Sequence, residues 1–342
     1  MPWEVPLTSR AAERLAREAS TQKFDRAASA LTIDWGLPLD GKQIQRWSEK
    51  LGQRVVAEGQ LEVAAYERGH RPPCPVNDPL LLVIGMDGGR VQMREKNAET
   101  GSRWREDKVG TVTSYFPGDG TEEHPPRPLV TTYVGTMAKT EGFGKLVQIE
   151  AERRGLRGAG TVVVLGDGGN WIDPLTHRER LCDQRILDFY HAAEHLYEAA
   201  EAIWPKDRQK AKALGTRWKT WVWDGQVDRV IAELGEHAER LGRPQKRDGP
   251  EHPRRVVANN RAYFAKHRLH MDYPRYRGKG WPVGSGVTES GVKQFNKRVK
   301  GTDQFWAEDG VESILALRAM WLSQDDRWTR YWNSRPAYPK AA

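Results

Sequence analysis

Two segments of this sequence end alike, in Val83-Ile-Gly-Met-Asp87-Gly-Gly and Val163-Val-Leu-Gly-Asp167-Gly-Gly. An Asp at the end of a buried strand is held by a stiff backbone. The following Gly-Gly lets the chain turn away and a bulky, charged partner approach. On neighbouring strands the two carboxylates would face each other and repel, unless a divalent cation sat between them. Oxygen donors of this kind favour Mg²⁺ or Mn²⁺ over zinc. Asp-Gly is also a common turn dipeptide, so either occurrence alone reads as structural; the pair points to a site. Neither is a phosphate loop, because the full Gly-x-Gly-x-x-Gly and a following Gly-Lys-Thr are both missing.

Glu289 is a third candidate. It follows Gly284-Ser-Gly286 and falls in the first turn of an expected helix, where the helix dipole favours a carboxylate. Lys293, Lys297 and Lys300 stand at i+4, i+8 and i+11 on its face. A Glu–Lys helix pair worth a few tenths of a kcal/mol accounts for Lys293 but not for the remaining row. An acid heading a row of lysines suits phosphates along the row and a metal at the scissile one. Asp87, Asp167 and Glu289 together would make an acidic triad for two-metal phosphoryl transfer, with two Mg²⁺ or Mn²⁺ ions. Gaps of 80 and 122 residues separate the three acids, so spacing alone specifies little. No persuasive Ser/His/Asp or Cys/His arrangement competes with them.

The charge distribution supports a polyanionic partner. The chain of 342 residues has a net charge of +8, yet residues 1–250 are almost neutral. Residues 252–300 hold 12 Lys/Arg against Asp272 and Glu289 alone, interleaved with Tyr263, Phe264, Tyr273, Tyr276, Trp281 and Phe295. Cations that neutralise phosphates and rings that stack on nucleotides would give this pattern; so would a solvated basic surface beside a core. Phosphate contacts are expected from Lys293, Lys297, Arg298 and Lys300, with Arg275, Arg277 and Lys279 in the same basic segment. No run approaches eighteen apolar residues, so no membrane span is expected. The opening MPWEVPLTSR lacks the basic-then-apolar order of a secretory signal. Two cysteines, Cys74 and Cys182, make no disulfide framework, and no CxxC or Cys/His cluster suggests structural zinc. These features point to the cytoplasm, in association with the nucleoid.

The elements that must position the acids are legible as a mixed pattern. Helical periodicity covers residues 9–20, 24–31 and 42–58, the last displaying Arg46 and Lys50. Three helices of this size suit either a helix-turn-helix or a plain cap on the next domain. A Pro-rich stretch at 71–79 marks a boundary. Buried strands are expected up to Asp87 and over 161–166, with further strands at 91–94, 111–116 and 129–137 and a helix over 142–154. Strands, helix, then strand suggest an α/β mixed sheet flanked by helices. Residues 185–191 read as a strand or as a helix start. From 191 to about 241 the composition is helical and Trp-rich, followed by a linker over 242–253. A basic helix from 289 to 300 and a closing helix over 308–321 complete the pattern.

At these residues the sequence resembles a DDE transposase of a bacterial insertion sequence, of the ISKra type. The blocks that carry the resemblance run in order. They are Met86-Asp-Gly-Gly89, Leu165-Gly-Asp-Gly-Gly-Asn-Trp-Ile172, Ile186-Leu-Asp-Phe-Tyr-His-Ala-Ala-Glu-His-Leu196, Pro282-Val-Gly-Ser-Gly-Val-Thr-Glu-Ser-Gly291 and Ala316-Leu-Arg-Ala-Met-Trp-Leu322. The resemblance implies a ribonuclease-H-like core in which Asp87, Asp167 and Glu289 bind the metals. It also implies a helical DNA-binding region over 1–70, core segments at 79–191 and 281–332, and a helical insertion over 192–280. Asp188-Phe-Tyr-His191 looks like the Asp-x-x-His motif of related enzymes; His191 then contacts substrate near the acids or makes a structural hydrogen bond. The partners implied are double-stranded DNA, as transposon ends and target, and a second copy in a homodimer or larger assembly. One departure is a short region before the core, which puts full binding of the ends in question. The alternatives are a ribonuclease-H-like nuclease without strand transfer and a non-catalytic, transposase-derived DNA-binding protein. A glycosidase using two of the carboxylates ranks below them, since it leaves the basic segment unexplained.

Overall fold

The computed structural model describes residues 7–74 and 77–334. Most of the opening segment read for a signal, residues 1–6, and residues 75–76 of the Pro-rich boundary lie outside the described residues. The apolar runs build one five-stranded sheet of β1 (Leu81–Gln92), β2 (Trp104–Phe116), β3 (Arg127–Thr136), β4 (Val162–Gly166) and β5 (Gln184–Leu187). The order across it is β3-β2-β1-β4-β5. The first three strands are antiparallel neighbours, while β4 runs parallel to β1 and β5 parallel to β4.

Helices surround the sheet. Before it come α1 (Ser9–Thr21), α2 (Phe24–Trp35) and α3 (Gly41–Glu67); within it, α4 (Thr140–Arg153) and α5 (Ile172–Arg178). After β5 follow α6 (Phe189–Ile203), α7 (Arg208–Trp223), α8 (Val227–Leu241), α9 (Pro253–His267), a 3₁₀ turn at Arg268–His270, and α10 (Tyr273–Gly278). The chain ends its described course with α11 (Gly286–Val299), α12 (Glu308–Leu322) and α13 (Arg327–Asn333).

Side chains alternate across a strand, and both faces are covered. Leu82, Ile84, Val162 and Val164 pack on Phe143 and Val147 of α4 and on Ile172 and Leu175 of α5. Leu81, Val83, Val163 and Leu165 face the other way, into the layer formed by α6–α10, with Leu196, Trp218, Val230, Phe264 and Tyr273. At the far end of the sheet, Val91, Val109 and Tyr133 join Phe295 of α11, Ile314 of α12 and Trp328 of α13, together with Leu15, Leu31, Ile44 and Leu51. The last four belong to α1–α3, so these helices are a cap built into the core. The free edge of β3 is closed by chain just after α12: Gln324 accepts from the Thr131 N–H and donates its own N–H to the Thr131 carbonyl, at 2.9 and 3.0 Å.

Several expectations change in detail. The chain does not turn at Asp87-Gly-Gly. β1 continues through it, with Asp87 opposite Val109 and Gly89 opposite Asp107. The glycines leave room for β2, since a Cβ on Gly89 would lie 2.5 Å from the Asp107 carboxylate. The segment expected at 91–94 is therefore the end of the same strand. At residues 185–191 both readings hold, because β5 stops at Leu187 and Asp188 caps α6 through the Tyr190 and His191 N–H groups, at 2.6 and 3.0 Å. The third helix runs on to Glu67, 27 residues in all.

Candidate active site

Strand parity decides where the acids point. Asp87 shares its face of β1 with Val83, and Asp167, one residue beyond β4, continues the face of Val163 and Leu165. Both carboxylates thus emerge on the side covered by α6 and α11. Helix α11 comes onto the sheet at Gly85: a Cβ there would sit 1.8 Å from Thr288 Oγ1. The Thr288 hydroxyl lies 2.9 Å from that of Thr111 on β2, which pins the first turn of α11 to the sheet. Glu289 is the next residue. Asp87, Asp167 and Glu289 consequently line one cleft of about 220 Å³, with Met86, Gly166, Tyr190, His191, Glu194, Ser285 and Thr288. A larger cavity of about 780 Å³, between α3, β3, α4 and α12, has a mostly apolar lining that includes none of the three acids.

Both other acids act electrostatically on Asp87. Burial pushes the Asp87 carboxyl above its ordinary value, opposed by a 2.6 Å hydrogen bond from the Gly88 N–H. The charges of Asp167 and Glu289 raise it further, while His191 acts the other way. Asp167 accepts from the Gly169 N–H at 2.9 Å, and its backbone carbonyl accepts from the Tyr263 hydroxyl at 3.0 Å. Glu289 is exposed, with Ser285 Oγ and Lys293 Nζ each 3.4 Å from its carboxylate. Three carboxylates lining one cleft are oxygen donors of the kind a hard divalent cation takes.

The His191 ring lines the cleft, with Nδ1 3.5 Å from Glu194. Asp188, the first residue of the Asp-x-x-His block, organises the rim. Besides capping α6, its Oδ2 accepts from the Ser285 N–H at 2.6 Å. One buried carboxylate therefore sets both the start of α6, with His191, and the loop that launches Glu289. An Asp immediately before a helix-forming run is the signal that exposes such a cap in a sequence.

The basic residues divide. Lys293, Lys297, Lys300, Arg275 and Lys279 are exposed. Arg298 is not, and the expectation of a phosphate contact is corrected. It is 2% exposed, packs against the rings of Phe24 and Trp306, and donates from Nε to the Ala19 carbonyl at 2.6 Å. Burial pulls its guanidinium down to about 9. Arg277 is half-buried over the Trp223 ring, 4.0 Å from its centroid, and bonded to the Trp223 carbonyl. Arg46 and Lys50 are exposed on α3, which contributes nothing to the cleft. The aromatic residues are internal as well: Phe264, Tyr273, Tyr276, Trp281 and Phe295 are buried, the first four in the core of the helical layer and Phe295 where α11 packs on the sheet.

No protein family matches the chain, and no curated protein matches it. Among solved structures it has a likeness to one described as the Drosophila P element transposase strand transfer complex, at 8% identity and a TM-score of 0.38, covering 95% of this chain and 94% of that one. Fold and site define a mixed α/β sheet, flanked by helices, with three carboxylates gathered in one cleft. Among the described residues no helix is long and apolar enough to cross a membrane.

Proposed function

We propose that the protein is a DDE transposase of the ISKra type, with a ribonuclease-H-like core, which cleaves DNA at the ends of its element and joins them to target DNA. One observation carries the reading. Three acids from β1, the end of β4 and the start of α11 line a single cleft on a sheet ordered β3-β2-β1-β4-β5. Asp87, Asp167 and Glu289 would hold two Mg²⁺ or Mn²⁺ ions. Bound there, the ions would acidify the attacking water or 3′-hydroxyl and stabilise the leaving oxygen.

The chain's own residues do the rest. The continuous strand holds Asp87 in place, and the Thr111–Thr288 contact and Asp188 set where Glu289 stands. Lys293 and Lys297 follow Glu289 along the exposed face of α11 and give a backbone-tracking path for phosphates. Lys300, Arg275, Lys279, Arg46 and Lys50 are further candidates. His191, which lines the cleft, would touch the strand being cut. Two copies acting together on DNA would bring two ends into one assembly.

The test uses duplexes that carry the ends of the encoding element, uncut and pre-cleaved, with Mg²⁺ or Mn²⁺. Nicking plus joining of pre-cleaved ends is expected, and both should vanish in Asp87→Asn, Asp167→Asn and Glu289→Gln while DNA binding persists. A nuclease that hydrolyses without joining is the second reading, favoured by the way α1–α3 are built into the core and not held apart as an end-reading module. Cleavage without joined product would select it. Binding without any nicking would sink both.

A further inference from the structure

A second group of donor atoms joins the sheet to the helical layer, outside the carboxylate cleft. Asp173, in the first turn of α5, and His267 and His270, at the end of α9 and in the turn after it, each offer one atom, and the three atoms lie within 4.8 Å of one another. His267 is 1% exposed, and its Nδ1 stands 3.8 Å from Asp173 Oδ2 with no hydrogen-bond partner. A buried ring nitrogen left bare costs stability, and this one is aimed at a carboxylate oxygen. The other oxygen of Asp173 is occupied: Oδ1 accepts from Arg185 Nε at 2.9 Å. Arg185 is itself buried and also bonded to the Ile186 carbonyl. That bond fixes the carboxylate and leaves Oδ2 beside His267, as outer partners do around metal ligands.

We propose that Asp173, His267 and His270 form a transition-metal site suited to Zn²⁺, distinct from the Asp87–Asp167–Glu289 cleft. Two imidazole nitrogens and one carboxylate oxygen select zinc over magnesium. Ligand atoms at zinc bonding distance, about 2.0–2.1 Å, are roughly 3.4 Å apart around a tetrahedral ion. The 3.8 Å between His267 Nδ1 and Asp173 Oδ2 needs a closure of a few tenths of an ångström for that pair, and the His270 nitrogen, within 4.8 Å of both, has to close by up to about 1.4 Å. His270 is half-buried, so water can reach the fourth position. Burial holds the His267 ring down to about 4 and lowers His270 as well, which keeps their lone pairs available at neutral pH. The cost is the positive charge of Arg185, which is paired with Asp173 itself, and of Lys266, whose Nζ bonds Asn170 at 2.7 Å. With His267 standing 94 positions after Asp173, no local spacing reveals the group. The ion would clamp α9 to α5, close to the strand end that carries Asp167, and its role is structural.

The proposal stands apart from the transposase reading and is tested on the full chain without DNA. Zn²⁺ is titrated into chelator-stripped protein, with Co²⁺ as a spectroscopic probe. One equivalent of Zn²⁺ with a Kd of about 1 µM or tighter, tetrahedral Co²⁺ bands, and a rise of several degrees in the unfolding midpoint are expected. His270→Ala and Asp173→Asn should each lose the tight equivalent and the rise; the two variants check one another against misfolding, read by circular dichroism. Asp87→Asn combined with Asp167→Asn should keep both. Absence of tight binding in the unmodified chain overturns the site, as does undiminished binding in His270→Ala and Asp173→Asn, or loss of binding in the Asp87/Asp167 double variant.

Discussion

Asp87 is held where its charge is least comfortable. Burial and the neighbouring acids raise its carboxyl, so the folded state takes up a proton more readily than the unfolded one. Its contribution to stability therefore declines as pH rises above the ordinary carboxylate range, and is lowest when it is ionised. Asp87→Asn should raise the unfolding midpoint at neutral pH without metal, while lowering nicking by roughly 10³-fold or more. Calorimetry and a plasmid-nicking assay measure the two effects, and a variant less stable than the parent would count against the crowding argument. Asp107 is the sharper case. Its side chain is fully buried, neither oxygen has a hydrogen-bond partner, and burial pushes it up to about 6. The penalty grows between pH 4 and 6 and is complete above. Asp107→Asn should thus stabilise the protein at pH 8, by up to about 3 kcal/mol, and hardly at pH 4. An equal gain at both pH values would show that ionisation is not the cause.

At the scale of elements, the contact of α11 with β1 places the third acid. Gly85 has no room for even a methyl group, given the 1.8 Å to Thr288 Oγ1. Gly85→Ala should lift the first turn of α11, cost about 1–3 kcal/mol of stability, and reduce nicking far more than DNA binding. Wild-type nicking in a folded Gly85→Ala protein would mean that the seating of α11 does not position Glu289. This contact was not legible in the sequence, because it joins residues 203 apart through an absence of side chain. What was legible was periodicity. The apolar runs before Asp87 and Asp167 are strands, the stretch after 191 is helical, and Glu289 lies in the first turn of its helix. Turn chemistry misled at Gly88-Gly89, where the glycines serve packing against β2. Burial misled at Arg298, since one step along a helix from Lys297 turns a side chain by about 100°, here into the core.

For the molecule as a whole, the basic surplus is less a surface than the sequence suggested. Part of it is internal or paired, as at Arg298, Arg277 and Arg268, whose Nε lies 2.7 Å from Asp228. The exposed remainder on α11 sets a modest expectation. Lys293→Ala with Lys297→Ala should weaken binding to all duplex sequences alike and flatten the dependence of log K on log salt by about two. Fluorescence anisotropy at several salt concentrations measures the slope; an unchanged slope would remove α11 from the DNA path.

The unbroken course of β1 has a consequence for how the three acids can respond to an incoming ligand. Asp87 belongs to a strand bonded on both sides near Gly85, with β2 along its whole length. Asp167 sits on a turn beyond its strand, and Glu289 on an exposed first turn. In hydrogen–deuterium exchange, amides within β1 around Asp87 should open only with global unfolding, while Gly168 and Gly169 exchange through local opening and slow when metal or DNA binds. One acid is a fixed reference, and the other two adjust to it.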